Sequence, residues 1–189
     1  MKVLFFPFCT GSGLAHAGAC LSVAGELAAR GHEAVLAYGG TRPDLVTKEG
    51  VRIVEVDEIP PERSGGHDQM DGFYPDTENL IRFIECDREL IEAEAPDVVV
   101  IDMRLPSMPA AELAGVPVVT ISHFLPTTGY TSLTSRQRKL GMLRHPLYVA
   151  GRIGSILDRD PFRARVLSER FAEARRRLGL PPREGLPMT

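Results

Sequence analysis

MKVLFFPFCTGSGLAHAGACLSVAGELAARGH, residues 1–32, reads as a buried strand, a glycine-rich turn, a histidine at a helix start and a helix that stops at Arg30-Gly31. Val3 to Phe6 is a continuous apolar run, the pattern of a parallel strand covered on both faces. Thr10, Gly11, Ser12 and Gly13 follow, and glycine there permits a left-handed turn and a close backbone approach by a ligand. Ala17, Leu21, Ala24 and Ala28 recur at helical spacing, with Cys20 and Leu27 widening the stripe. Gly31 suits the residue just past the helix end, and Arg30 the negative end of its dipole. The stretch is the front half of a strand-turn-helix unit whose helix start points amides at whatever binds above the sheet, with His16 at that mouth.

Outward from there the pattern alternates. A second strand is expected over Ala34 to Tyr38, a short helix capped by Thr41 and ended by Gly50, and a third strand over Val51 to Val56. Residues 58–72 carry Pro, Gly and charge with no period, which predicts a long loop. A helix is expected from Asp76 or Thr77 to about Ala95, with Leu80, Ile84, Ile91 and Ala95 on one face beside Phe83 and Leu90. Val98 to Ile101, ending in Asp102, is another buried strand. A short helix over Pro106 to Ala114 and a strand over Val116 to Ile121 complete a βαβ pattern. The fold class that follows is α/β, a Rossmann-like doubly wound parallel sheet. Helices are expected at Pro146 to Leu157 and from Asp160 or Pro161 to Leu178.

The chain has 189 residues, 43% hydrophobic and 25% charged, the composition of an ordinary globular domain. No run of 18 or more apolar residues offers a membrane span. The apolar start is short, broken by Pro7, and runs into an amphipathic helix, which argues against a signal peptide and for a cytoplasmic protein. Cys9, Cys20 and Cys86 are odd in number and lack CxxC spacing, so they read as reduced thiols. Net charge is −3 but uneven: residues 136–184 carry thirteen Arg or Lys against five acids. That basic end reads as an arginine face on amphipathic helices, or one docked on a further domain, rather than a nucleic-acid site. The histidines are scattered and no Asp-x-Asp occurs, so no metal site is expected.

The opening stretch resembles the start of family 1 GT-B glycosyltransferases of the UDP-glucuronosyl/UDP-glucosyltransferase-like, antibiotic or natural-product type. The shared features are the glycine-rich loop leading to His16, the Arg30-Gly31-His32-Glu33-Ala34-Val35 approach to strand two, the sixteen-position spacing from His16 to His32, and a Pro96-Asp97 strand closed by Asp102. The chain departs from the usual G-H-x-x-P, with Ala15 before the histidine and Gly18-Ala19 in the proline region. The late Leu178-Gly179-Leu180-Pro181-Pro182 resembles the segment that precedes the linker to a donor domain. The resemblance therefore implies the N-terminal half of a GT-B fold: residues 1–145 as an acceptor-binding domain, and 146–189 as helices leading to the linker of an absent donor domain.

It further implies an inverting, metal-independent transfer of a sugar from an NDP-sugar, UDP- or TDP-linked, to a hydroxyl of a small lipophilic aglycone. The sugar nucleotide is a co-substrate held mainly by the C-terminal domain, and no cofactor is expected. A histidine suits proton removal at neutral pH and needs a carboxylate on its other nitrogen. By the resemblance His16 is the general base and Asp102 its orienting partner. From the residues alone, His16 could equally cap its helix, and Asp102 could cap a strand-end turn. Thr10, Gly11, Ser12 and Gly13 could cradle the donor diphosphate or form a plain tight turn. Met70, Phe73 and Tyr74, with His123, Phe124 and Tyr130 after strand five, suit a flat or greasy acceptor, or pack as a lid on their own domain. His32, at a helix-to-strand turn, reads as structural.

Two other readings stay open. The chain could be a non-catalytic acceptor-binding or recruiting subunit of a split GT-B enzyme. It could also be a nucleotide-cofactor-binding Rossmann-like domain. A dinucleotide fingerprint would need glycine where His16 stands, and Tyr38-Gly39 ends strand two where a ribose-binding acid is expected.

Overall fold

The computed structural model describes residues 1–9, 14–57, 74, 76–121 and 160–183, without the side chains of 160–166. Five strands are described: β1 (Lys2–Pro7), β2 (Glu33–Tyr38), β3 (Val51–Glu55), β4 (Val98–Asp102) and β5 (Val118–Ile121). Four α-helices join or follow them: α1 (Leu14–Ala29), α2 (Thr77–Glu94), α3 (Ser107–Ala114) and α4 (Asp160–Arg177). The strands form one parallel sheet in the order β3-β2-β1-β4-β5. This is the expected Rossmann-like α/β architecture. The order reverses direction after β3, so β1 and β4 flank the switch point.

The alternation of side chains along each strand sorts the core into two layers. Val3 and Phe5 of β1, Leu36 of β2 and Val100 of β4 pack with Ala17, Cys20, Leu21 and Ala24 of α1. Leu4, Phe6, Val99 and Ile101 face the other way, against Leu80, Ile84 and Ile91 of α2, Ala110 and Ala111 of α3 and Phe171 of α4. The sheet is thus covered on both faces, which is why its central strands are continuously apolar. Residue 102 has the parity of Val100, so its side chain belongs to the α1 layer.

Local signals explain most element ends. Asp76 caps α2 by accepting the Asn79 amide at 2.8 Å. Gly31, at φ +82, ends α1 in the left-handed conformation that glycine takes without penalty. Ala95 closes α2 in the same way at φ +44, although it carries a Cβ. The helix expected from Thr41 to Gly50 is not formed. Only a 3₁₀ turn, Pro43–Leu45, is present, and Arg42 before it makes no side-chain cap. Proline restricts the residue preceding it, and Val46 is the one buried apolar anchor of the stretch, Leu45 being half exposed. A single anchor does not hold an amphipathic helix against the sheet. The segment at 58–72 and the helix expected at Pro146 to Leu157 lie outside the described residues.

Helix α4 belongs to the same core as α2 and α3, with Leu167, Phe171 and Ala174 buried there. Its described arginines are bound within this domain. Arg175 makes a two-pronged bond to Glu112 at 2.7 and 3.0 Å and holds the Pro181 carbonyl, Arg177 pairs with Glu78, and Arg176 with Glu173. Arg175, Arg176 and Arg177 are thus each paired with an acid of this domain.

At the amino ends of the strands, Lys2 and Arg52 converge on Glu94, with Lys2 Nζ at 2.8 Å. Hydrogen bonds from Arg52 first and Lys2 second hold the Glu94 carboxyl down at about 2, against an ordinary 4.5. A carboxyl lowered by folding stabilises the fold fully above its ordinary value, and that contribution is lost as pH falls from about 4.5 towards about 2. Glu94→Gln is expected to lower stability by roughly 1–2 kcal/mol at neutral pH. In urea titrations across pH, the gap between variant and wild type should close in that acid window; a gap that stays constant to pH 2 would refute the assignment.

Candidate active site

The carboxyl ends of β1 and β4 meet at the switch point. Pro7 and Asp102 are register partners there, and Ile121 of β5 lies on the other side of Asp102. The Phe8 amide donates to the Asp102 carbonyl at 2.7 Å, and Pro7 and Met103 form a further bridge. The last residue of β4 is therefore fixed against the exit of β1. His16 enters from the α1 face of the sheet, in the first turn of α1. Its Nδ1 lies 2.9 Å from Asp102 Oδ1. Asp102 is 1% exposed, whereas the His16 side chain is 23% exposed. The Phe8 ring meets the imidazole edge-on, with centroids 5.9 Å apart and planes at 89°.

Among the described residues, neither Asp102 carboxylate oxygen has another hydrogen-bond donor. A buried carboxylate needs one, and His16 Nδ1 is the group placed to supply it. The ring N–H is not aimed squarely at the oxygen; such pairs tighten when substrate binds. Cys20, one turn along α1, is fully buried, and its thiol is pushed up to about 12 by burial and then by the Asp102 charge. It remains a thiol and supplies no nucleophile to this corner.

Of the other candidate residues, Tyr74 is placed in the core, 4% exposed. Its ring packs edge-on against Phe83 and Phe171, on the sheet face opposite α1. It stands as part of the packed layer, one of the two roles open to it from the sequence. Thr10, Gly11, Ser12, Gly13, Met70, Phe73, His123, Phe124 and Tyr130 lie outside the described residues. His32 sits in the turn after α1, its amide bonded to the Leu27 carbonyl at 3.0 Å. Among the described residues no group of three or more metal-capable side chains forms, and no helix is long and apolar enough to cross a membrane.

Sequence reasoning missed what lies behind Asp102. Asp87 and Arg104 are buried and paired, with Arg104 Nη2 at 2.8 Å from Asp87 Oδ1 and Nε at 3.0 Å from Oδ2. The Ser107 hydroxyl donates to the same carboxylate at 2.6 Å. The signal was present: Leu80, Ile84, Asp87 and Ile91 are spaced by four, three and four, so the acid stands inside the apolar stripe of α2.

The chain is similar to known proteins both in sequence and in fold. The sequence profile of the glycosyl transferase 4-like domain fits residues 17–186. The chain belongs to the glycosyl transferase 4-like domain family. An uncharacterized glycosyltransferase of Methanosarcina mazei is 40% identical over 129 residues, 64% of this chain and 32% of that protein. The glycotransferase of kitacinnamycin superposes with a TM-score of 0.58 at 23% identity, over 95% of this chain and 41% of that one. Spinosyn forosaminyltransferase superposes with a TM-score of 0.51 at 21% identity, over 70% and 33%. These likenesses establish the fold, and the expected relation to the N-terminal half of GT-B glycosyltransferases holds. This glycosyl transferase 4-like domain spans less than half the length of each of those relatives.

Proposed function

We propose that this chain supplies the acceptor site and the catalytic base of an inverting transferase that moves a sugar from an NDP-sugar to a hydroxyl of a small lipophilic acceptor, a natural-product aglycone. The observation that carries this is the approach of His16 Nδ1 to Asp102 Oδ1 at 2.9 Å, with the acid buried and the base open. With Nδ1 turned to the carboxylate, Nε2 takes the proton of the acceptor hydroxyl as its oxygen attacks the anomeric carbon. The bond from that carbon to the diphosphate oxygen breaks, and the diphosphate leaves from the opposite face. Asp102 stabilises the imidazolium that forms, as a buried carboxylate does in nucleophile–base–acid triads. The helix start and the loop at 10–13 suit the leaving diphosphate, whereas the bulk of the sugar nucleotide is held by a further domain. The kitacinnamycin and spinosyn enzymes, named for natural products, make that acceptor class the natural starting point.

His16→Ala in the active transferase is expected to cut acceptor turnover by about 10²- to 10⁴-fold. Donor affinity, read by calorimetry with the sugar nucleotide, should change by less than about twofold. Transfer at the wild-type rate would end the base assignment.

A further inference from the structure

We infer that Arg104 is a positioning residue: clamped from the α2 face of the sheet, it fixes the turn that aims the Asp102 carboxylate at His16. Three consecutive residues carry the geometry. Asp102 points into the α1 layer, where His16 waits at 2.9 Å. Met103 follows at φ +61, a left-handed conformation that an unbranched L side chain adopts only at a cost. Arg104 then emerges on the opposite face, 3% exposed, with its guanidinium 5.9 Å from the Phe6 ring centroid. The chain crosses from one face of the sheet to the other within one residue, and something must hold it there.

The guanidinium does so with a planar fork. Nε and Nη2 both reach the Asp87 carboxylate, and Nη2 also donates to the Asp57 carbonyl at 2.8 Å. Ser107, the first residue of α3, donates to Asp87 from the far side of the turn. One cation thus ties together the exit of β3, the middle of α2 and the segment between β4 and α3. A buried ion pair is poor evidence for stability, because apolar residues of the same volume often serve the fold as well. What the fork adds is a fixed direction. On the Asp102 side, Phe8 and Pro7 hold the backbone but not the residues beyond Met103.

The inference rests on the transferase reading for its consequence, but its test needs no turnover. Long-range nitrogen–proton NMR of the whole chain, at mildly alkaline pH, reads which nitrogen of His16 carries the proton. In the wild type, Nδ1–H is expected to dominate. In the charge-free triple variant Asp87→Leu, Arg104→Met, Ser107→Ala, the ratio of Nδ1–H to Nε2–H should fall about tenfold, the loss of one charged hydrogen-bonding contact. Arg104→Lys keeps the charge and loses the fork; it should show an intermediate ratio, and it covers the case in which the triple variant does not fold. His16 signals identical to wild type in a folded variant, with Phe8 and Asp102 amides also unmoved, would overturn the inference. Full transfer by His16→Ala would instead remove the assignment of His16 as the base and leave the tautomer result standing.

Discussion

Asp102→Asn in the active transferase is expected to lower kcat/KM by about 10²- to 10⁴-fold with the fold intact. The size follows from the tautomer rather than from charge alone. Asp102 is buried, and among the described residues its carboxylate faces only the His16 Nδ1 as a hydrogen-bonding group. A carboxylate can only accept, so it fixes a proton on Nδ1 and keeps Nε2 bare. An asparagine amide of the same shape can turn its NH₂ to Nδ1 and donate. Nδ1 then accepts, the proton moves to Nε2, and the nitrogen that faces the acceptor can no longer take a proton. The variant also loses the negative charge that stabilises the imidazolium in the transition state. Both effects act on the chemical step, so kcat should fall while the affinities for acceptor and sugar nucleotide hold within about twofold. Steady-state kinetics with both substrates varied would check this. A rise in KM at constant kcat would instead assign Asp102 to binding the acceptor.

The backbone of this site was legible because strand and helix periods fix it. A continuous apolar strand, a glycine turn and an amphipathic helix place His16 at the carboxyl end of β1. The acid that closes Val98–Asp102 falls on the neighbouring strand by topology. Parity along β4 then turns it towards α1, and this was readable only once Val100 was seen packing on Cys20 and its neighbours. Other features were not legible because they depend on tertiary partners. Thr41 and Pro43 look like a helix start, but the stretch has too few apolar residues to dock one. Tyr74 looks like an acceptor-facing aromatic beside a loop, and it closes the core because Phe83 and Phe171 meet it there. The polar residue in a helix stripe and the arginine after a strand are individually bland, and only their 2.8 Å contact gives them meaning.

That contact also sets the largest expected loss of stability. Asp87→Leu should destabilise the domain by about 3–5 kcal/mol, because it strands the Arg104 guanidinium in a dry site. Against the roughly 5–15 kcal/mol that holds a domain together, this brings the fold near its limit. Arg104→Met alone should cost a similar amount for the mirror reason, a buried carboxylate left with the Ser107 hydroxyl as its donor. The double variant Asp87→Leu, Arg104→Met leaves no charge behind. It still orphans the Ser107 hydroxyl and the Asp57 carbonyl, at about 1–3 kcal/mol each when no water reaches them. Its total should therefore lie well below the sum of the single losses, and adding Ser107→Ala should recover part of the remainder. Urea unfolding of the four variants measures this coupling directly. Additive losses would mean that the pair is solvated despite its burial. Strong coupling, with a near-native triple variant, would mean that the fold does not need the charges, so that what Arg104 and Asp87 contribute is the direction of the turn that carries Asp102.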